Sequence, residues 1–229
     1  MIPALRAFPD DALITADDDI IYAHNWFELL KTEHERYPLC IVFHRAHKVY
    51  ADKDNPRHPL PYRYWGLEEF PAENESSDWF FPTGGAGALY PPGSLHPVVS
   101  ETAEFQALAP TGDDIWFWAC AKLQKTPYRY IPNGYRSITS TPMPDGDRPL
   151  LFINVVANGN NTQITALCAR FPELGDAVET FPRKKVDLRE MWRVGCWEVR
   201  KGIEKVVGKK AYAFLKRLYA QVVLKRKEM

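Results

Sequence analysis

The stretch ALITADDDIIY, residues 12–22, sets Asp17, Asp18 and Asp19 side by side between two apolar runs. Adjacent carboxylates repel one another, so the cluster needs a cation or a hydrogen-bonding turn to meet it. Spaced two apart, Asp17 and Asp19 can flank one divalent ion, with Asp18 in reach where the chain turns. Hard carboxylate oxygens suit Mg²⁺ or Mn²⁺, which keep their other positions for water or phosphate oxygens. An acidic turn or helix cap accounts for the same residues without a metal.

Two further segments carry chemistry-bearing residues. TGGAGALYPP (83–92) has Gly84, Gly85 and Gly87 within four positions, and glycine lets backbone approach a ligand closely. No Gly-Lys-Ser/Thr follows, so it is not a phosphate-binding P-loop. It runs into the strand-like ALY rather than a helix, which argues against a dinucleotide fingerprint; a plain flexible loop reads the same way. TGDDIWFWA (111–119) puts Asp113 and Asp114 at the head of an apolar helix. A carboxylate against a dry aromatic wall can be tuned as a general base. The helix dipole favours a negative charge at that place for purely structural reasons, although one carboxylate would suffice.

These segments need elements to hold them. LITA reads as a short buried strand ending at the aspartates. Asn25 is placed to cap a helix from about Trp26 to Arg36, with Phe27, Leu30 and Tyr37 near one face and Pro38 as its stop. LCIVFHRA (39–46) reads as a second buried strand. Strand, helix, strand is the grammar of an α/β layer. Residues 51–82, rich in Pro, Asn, Asp and aromatic residues, predict irregular structure or an insertion. Helices are expected over 101–109 and 113–124, a strand over LLFINVV (150–156), a polar turn over 157–163 and a helix over 161–169. From Leu188 to Lys227 the apolar residues recur at helical spacing.

Composition bounds the class. The chain of 229 residues is 45% hydrophobic and 13% aromatic, ample for a packed core. Cys40, Cys120, Cys168 and Cys196 are scattered with no C-x-x-C pair, which argues against a zinc knuckle or redox site. Cys40 and Cys120 sit in apolar runs and are expected to be buried thiols in a reducing compartment. No signal peptide or apolar membrane span is read, and a cytoplasmic location is expected. The zero net charge hides an asymmetry: residues 183–229 hold 15 Lys and Arg against 5 Asp and Glu. The expected division is therefore a core over 1–182 and a basic helical extension over 183–229. That extension would either lie on the inner face of an anionic membrane or present an ordinary solvated face. No nucleic-acid-binding motif accompanies the charge.

Taken in order, the segments resemble glycosyltransferases of the GT-A fold, and most of all bacterial family-two-type enzymes of surface polysaccharide synthesis. The likeness rests on IPALRAFPDDALITADDDIIYAHNWFELL, FPTGGAGALYPPGSLHP and LAPTGDDIWFWACA, and more weakly on LLFINVVANGNNTQ. It implies a Rossmann-like mixed sheet with flanking helices. Asp17, Asp18 and Asp19 would hold Mn²⁺ or Mg²⁺ on the diphosphate of a nucleotide-sugar donor. Asp114, with Asp113 as the fallback, would take the proton of an acceptor hydroxyl on a glycan or a lipid-linked carrier. Gly84, Gly85, Ala86 and Gly87 would line the donor and acceptor pocket, and inversion at the anomeric centre is the expected outcome. Family members carry nucleotide-binding βα units ahead of the metal motif, whereas here the motif follows Met1 closely. The resemblance thus implies an N-terminally truncated domain whose open sheet edge would pair with another copy or a partner chain.

Several other residues have site readings beside ordinary ones. His96 follows the glycine segment and can touch metal, phosphate or acceptor, or simply serve a turn. Trp65, Trp79 and Tyr90 can stack on a sugar ring or fill core. His44 and His47 can reach the site from a strand end, and Asn154, Asn158 and Asn161 can order a loop or a turn. Two other function classes compete. An aspartyl-nucleophile phosphatase also sets aspartates after an apolar strand, but Ile20-Ile21-Tyr22 does not match its motif. A non-catalytic or partner-dependent fragment acting as a binding or assembly module is the other.

Overall fold

The computed structural model describes residues 1–67, 69, 71, 77–132, 138–140 and 152–187. The chain divides into two units, Met1–Lys185 and Val186–Met229. Of the second only Val186 and Asp187 are described, so the expected basic helix over 188–227 and Cys196 lie outside the described residues. The first unit is mixed α/β. Its strands are β1 (Leu13–Thr15), β2 (Ile20–Tyr22), β3 (Ile41–Phe43), β4 (Ala46–Lys48), β5 (Ala51–Asp52), β6 (Phe80–Pro82), β7 (Ala88–Tyr90), β8 (Tyr128–Tyr130), β9 (Ile138–Ser140) and β10 (Arg183–Lys184). The helices are α1 (Ile2–Ala7), α2 (Trp26–Arg36), α3 (Thr102–Leu108), α4 (Asp113–Gln124), α5 (Gly159–Arg170) and α6 (Glu173–Glu179).

Four strands make the central mixed sheet in the order β1-β7-β3-β8. β7 runs antiparallel to β1 and β3, and β8 runs parallel to β3. The register sets Thr15 and Phe43 opposite Ala88, and Tyr130 opposite Phe43. β1, β3 and β8 therefore all point to the end of the sheet where β7 begins. α4 leads into β8 and runs back along the sheet, so its first residues return to that same end. Asp17, Arg45, the turn before β7 and the Asp113–Asp114 pair converge there by topology. The end beyond the C-termini of parallel strands is where open α/β sheets carry their sites.

Burial explains the elements. Ile41, Val42 and Phe43 of β3 are all fully buried. Leu30 of α2 packs with Val42, Leu89 and Ile131, with Ile14, Trp26 and Leu29 around them. The expected apolar face of α2 is corrected here: Phe27 and Tyr37 are exposed at 54% and 39%, while Leu30 is at 0%. The inward stripe runs from Trp26 through Leu30 to Glu33 and leaves Phe27 about a quarter-turn away. Asn25 takes the N-cap position without a side-chain capping bond. α4 is buried along Ile115–Lys122, Trp116 and Trp118 included, as befits a helix that is apolar on nearly every side.

The strand expected over 150–156 does not form where it is described. Phe152–Val156 is a π-helical turn leading into α5; Leu150 and Leu151 lie outside the described residues. Side-chain bonding overrides the β-branched run. Asn154 Nδ2 donates to the Thr111 carbonyl at 2.6 Å and Thr111 Oγ1 donates to Asn154 Oδ1 at 2.7 Å. α5 starts at Gly159, two residues before the expected point, after Asn158 adopts a left-handed φ of 65°. Much of 51–82 is irregular as expected, although β5 and β6 punctuate it. Cys120 and Cys168 are buried free thiols, whereas Cys40 is half-buried rather than buried. Among the described residues no helix is long and apolar enough to cross a membrane.

Candidate functional site

A cleft of about 700 Å³ opens at the converging end of the sheet. Asp17, Asp18, Asp19, Asp113 and Asp114 line it, together with Thr15, Gly84, Gly85, Arg45, His47, Tyr62, Phe81, Thr83, Thr111, Asn154 and Asn160. Its volume is in the range of small-molecule sites.

The glycine turn organises the cleft. Residues Gly84–Ala86 make a 3₁₀ turn, and Gly87 at φ 105° brings the chain into β7. Gly87 lies under the indole of Trp26, so close that a Cβ there would stand 2.5 Å from Trp26 Nε1. That Nε1 donates to the Ala86 carbonyl at 2.8 Å. Thr15, the last residue of β1, donates through Oγ1 to the Gly84 carbonyl at 3.1 Å and accepts from the Ala88 amide at 3.2 Å. Strand and turn are thereby locked immediately before the aspartates. The Tyr22 hydroxyl accepts from the Asp17 amide and donates to the Gly85 carbonyl, both at 2.7 Å.

Each half of the turn holds one carboxylate. The Gly84 amide donates to Asp114 Oδ1 at 2.9 Å. The Asp17 carboxyl lies on Gly85 so closely that a Cβ there would run into it. Asp114 is steadied further by its own helix start: its amide donates to Asp113 Oδ1 at 3.0 Å. Gly112 rather than an aspartate takes the N-cap position, with no side-chain cap, and Asp113 and Asp114 stand in the first turn of α4. The loop before α4 is fastened by the Thr111–Asn154 bonds and by Thr111 N–H donating to Gln163 Oε1 at 3.1 Å.

The electrostatics follow from crowding. Burial raises the Asp114 carboxyl to about 7, helped by Asp113 and Asp17, while the Gly84 amide and Arg45 oppose the rise. Asp17 is also held above the usual carboxylate range, by partial burial first and then by Asp19 and Asp113, against Arg45. Among the described residues no three His, Cys, Asp or Glu side chains form a ready-made metal cage. Mg²⁺ and Mn²⁺ sites that share a substrate phosphate need only one or two protein carboxylates. Asp17 and Asp19 supply hard oxygen donors on a cleft wall crowded with like charge, which fits such a cation.

Not every expected residue reaches the cleft. Ala86 and Gly87 lie buried beneath Trp26. Trp65 is 4% exposed, donates through Nε1 to the Leu60 carbonyl, and packs behind Tyr62 and Phe81. Tyr90 is buried on β7 against Phe117. His96 caps a turn, accepting from the Val98 amide through Nδ1, and faces a different cavity beside Lys122. His44 is buried, with its Nε2 on the Trp26 carbonyl. Of the aromatic and histidine candidates, His47 reaches the cleft. Asn161 works from behind, accepting the Tyr62 amide at 2.6 Å.

Thr15, Tyr22, Tyr62, Thr83 and Asn160 were not foreseen. For Tyr22 a signal existed: strand alternation puts it on the same face as Ile20, which directly follows the aspartates. The others depend on pairings distant in sequence. The chain matches no protein-family model, no curated protein and no solved structure.

Proposed function

We propose that the protein is a metal-dependent glycosyltransferase of GT-A type, moving a sugar from a nucleotide-sugar to a hydroxyl of a glycan or lipid-linked acceptor. One observation carries the reading. Asp17 and Asp114, nearly a hundred residues apart, are seated on the consecutive glycines Gly85 and Gly84 at one cleft. Two carboxylates, one read as a cation ligand and the other as a proton acceptor, thus sit side by side on one glycine turn.

In the reaction, the acceptor hydroxyl gives its proton to Asp114 as its oxygen bonds to the anomeric carbon. The bond from that carbon to the diphosphate oxygen breaks, and the nucleoside diphosphate leaves. A divalent cation on Asp17 and Asp19 would neutralise charge gathering on that diphosphate. A base titrating near neutrality both holds and yields a proton readily, which suits Asp114 to the role. Asp113 keeps that carboxyl raised by like charge. With the base on the face opposite the diphosphate, the anomeric centre is inverted.

The test is release of nucleoside diphosphate from a panel of UDP- and GDP-sugars with Mn²⁺ and a mixed saccharide acceptor. Wild-type protein releases it, and Asp114→Asn slows release by about 10²-fold or more. Equal release by both proteins would remove Asp114 from the chemistry.

A further inference from the structure

Tyr62 lines the cleft, and the proposed chemistry gives its hydroxyl no role. It opens the 3₁₀ turn Tyr62–Tyr64, and its amide donates to Asn161 Oδ1 at 2.6 Å. Its ring stands 4.9 Å from that of Trp65 and meets His47 and Phe81 edge-on at 5.8 and 6.3 Å. Main chain and ring are both fastened, so the phenol keeps one direction. Among the described residues its hydroxyl has no hydrogen-bond partner. Burial holds that hydroxyl well above the usual phenol range, and Asp114 adds to the rise while Arg45 opposes it. The charges that act on it are those of Asp114 and Arg45, not those of Asp17 and Asp19. The phenol is thus a neutral O–H donor at the base end of the cleft.

A ligand that fills the cleft displaces water from that donor and must replace the bond it made, or bind less well. In the proposed reaction the molecule lying against Asp114 is the acceptor, while the diphosphate stays with the cation on Asp17 and Asp19. One acceptor hydroxyl faces Asp114 and gives up its proton. An acceptor with a single hydroxyl leaves the Tyr62 hydroxyl unmet. A sugar ring carries a second hydroxyl on the neighbouring carbon, and its C–H face suits the aromatic wall of Tyr62, His47 and Phe81. Apolar walls with a few placed polar groups are how such pockets fix a ligand's orientation. Resting on the glycosyltransferase reading, we infer that Tyr62 donates to the acceptor hydroxyl adjacent to the one that reacts, so that the reacting end of the acceptor is a pyranose ring with a vicinal diol rather than a simple alcohol. Tyr62 is then a residue that binds and positions, since the proton goes to Asp114.

Nucleoside diphosphate release by the full chain tests the inference, with Mn²⁺ and a panel of UDP- and GDP-sugars. The acceptors are the methyl pyranosides of glucose, galactose, mannose and N-acetylglucosamine, their monodeoxy analogues, and hexanol. A pyranoside supports release and hexanol does not. Deleting the hydroxyl next to the reacting one raises the acceptor KM of wild-type protein by about fivefold, the worth of one neutral hydrogen bond. Tyr62→Phe raises the KM of the parent pyranoside by a similar factor and adds nothing to the loss with that deoxy analogue. It leaves the donor KM and the acidic limb of the kcat profile unchanged. A merely structural role would weaken parent and deoxy acceptors alike, and that result overturns the inference. So does a Tyr62→Phe loss that falls on the donor KM, or release with hexanol as good as with any pyranoside. Mn²⁺-dependent binding of UDP or GDP without release to any pyranoside also overturns it, and in all these cases the glycosyltransferase reading stands. Absence of both release and Mn²⁺-dependent nucleotide binding removes that reading and this inference with it. Thermal unfolding verifies the fold of Tyr62→Phe, and the comparison of parent with deoxy acceptor on wild-type protein needs no variant.

Discussion

The amide of Gly84 donates to Asp114 Oδ1 at 2.9 Å, and a Cβ on Gly84 would stand 2.7 Å from that same oxygen. The glycine is thus both the donor that orients the carboxylate and the gap that admits it. Gly85 stands in a similar relation to Asp17, yet the two sites differ in what can yield. Asp114 is half-buried between α4 and the turn, while Asp17 lies exposed at the cleft mouth.

Alanine at the two glycines therefore has different effects. Gly84→Ala forces Asp114 or Thr15 aside, because Thr15 Oγ1 is 3.2 Å from the added carbon. It lowers stability by about 1–3 kcal/mol, as overpacking does, and abolishes transfer. Gly85→Ala swings the Asp17 carboxyl into solvent, leaves stability nearly unchanged and weakens Mn²⁺ binding. Urea denaturation beside Mn²⁺ titration distinguishes them, and equal stability losses would contradict the assignment.

The pH dependence follows from Asp114, whose carboxyl is raised to about 7. The base form fills as pH rises through that value, so the transfer rate climbs to a plateau above it. Asp113→Asn removes the largest neighbouring charge holding the carboxyl up and moves the acidic limb to lower pH. Stability carries the opposite sign. The unfolded chain releases this proton near pH 4 and the folded chain near 7, so metal-free protein loses stability as pH rises between them. Asp114→Asn flattens that decline, which thermal unfolding in EDTA across pH 4–8 measures.

Tyr22→Phe deletes the hydroxyl joining the Asp17 amide to the Gly85 carbonyl. Two hydrogen bonds are lost at a half-buried site, for about 1 kcal/mol. Mn²⁺ affinity falls further than stability alone accounts for, because the turn carrying Asp17 is freed. Unchanged Mn²⁺ affinity would show that the hydroxyl has no part in placing Asp17.

Asn154→Ala removes the side chain that binds Thr111 twice. The loop before α4 loosens, with a stability loss of about 1–3 kcal/mol. Transfer falls while Mn²⁺ affinity holds, because this clamp positions Asp113 and Asp114 but not Asp17. A parallel loss of Mn²⁺ affinity would show that the two halves of the cleft are not separately supported.

Much of this arrangement was legible in the sequence where local signals agree. Asp113 and Asp114 stand before an unbroken apolar run, and α4 begins at Asp113 and is buried along that run. β1, α2 and β3 likewise follow from apolar runs bounded by Asp, Asn and Pro. Phe152–Val156 misled because its β-branched composition favours a strand, while the deciding force is the bond between Asn154 and Thr111, forty-three positions away. His96 misled because nearness along the chain to the glycine segment is not nearness in space. Arg45 stands between His44 and His47 with no local signal of its own, since only the pairing of β4 with β6 brings it to Thr83. The direction of α2 turned on which stripe β3 and β7 cover, a choice that propensity does not make.

In the proposed function, Asp17 and Asp19 hold a divalent cation for a nucleoside diphosphate. Isothermal calorimetry with UDP and with GDP, in Mn²⁺ and in EDTA, tests it on wild-type protein and on Asp17→Ala/Asp19→Ala. The prediction is binding of one nucleotide that requires Mn²⁺ and falls by about tenfold or more in the double variant. Tight binding that is the same in EDTA, and untouched by the double substitution, would contradict it.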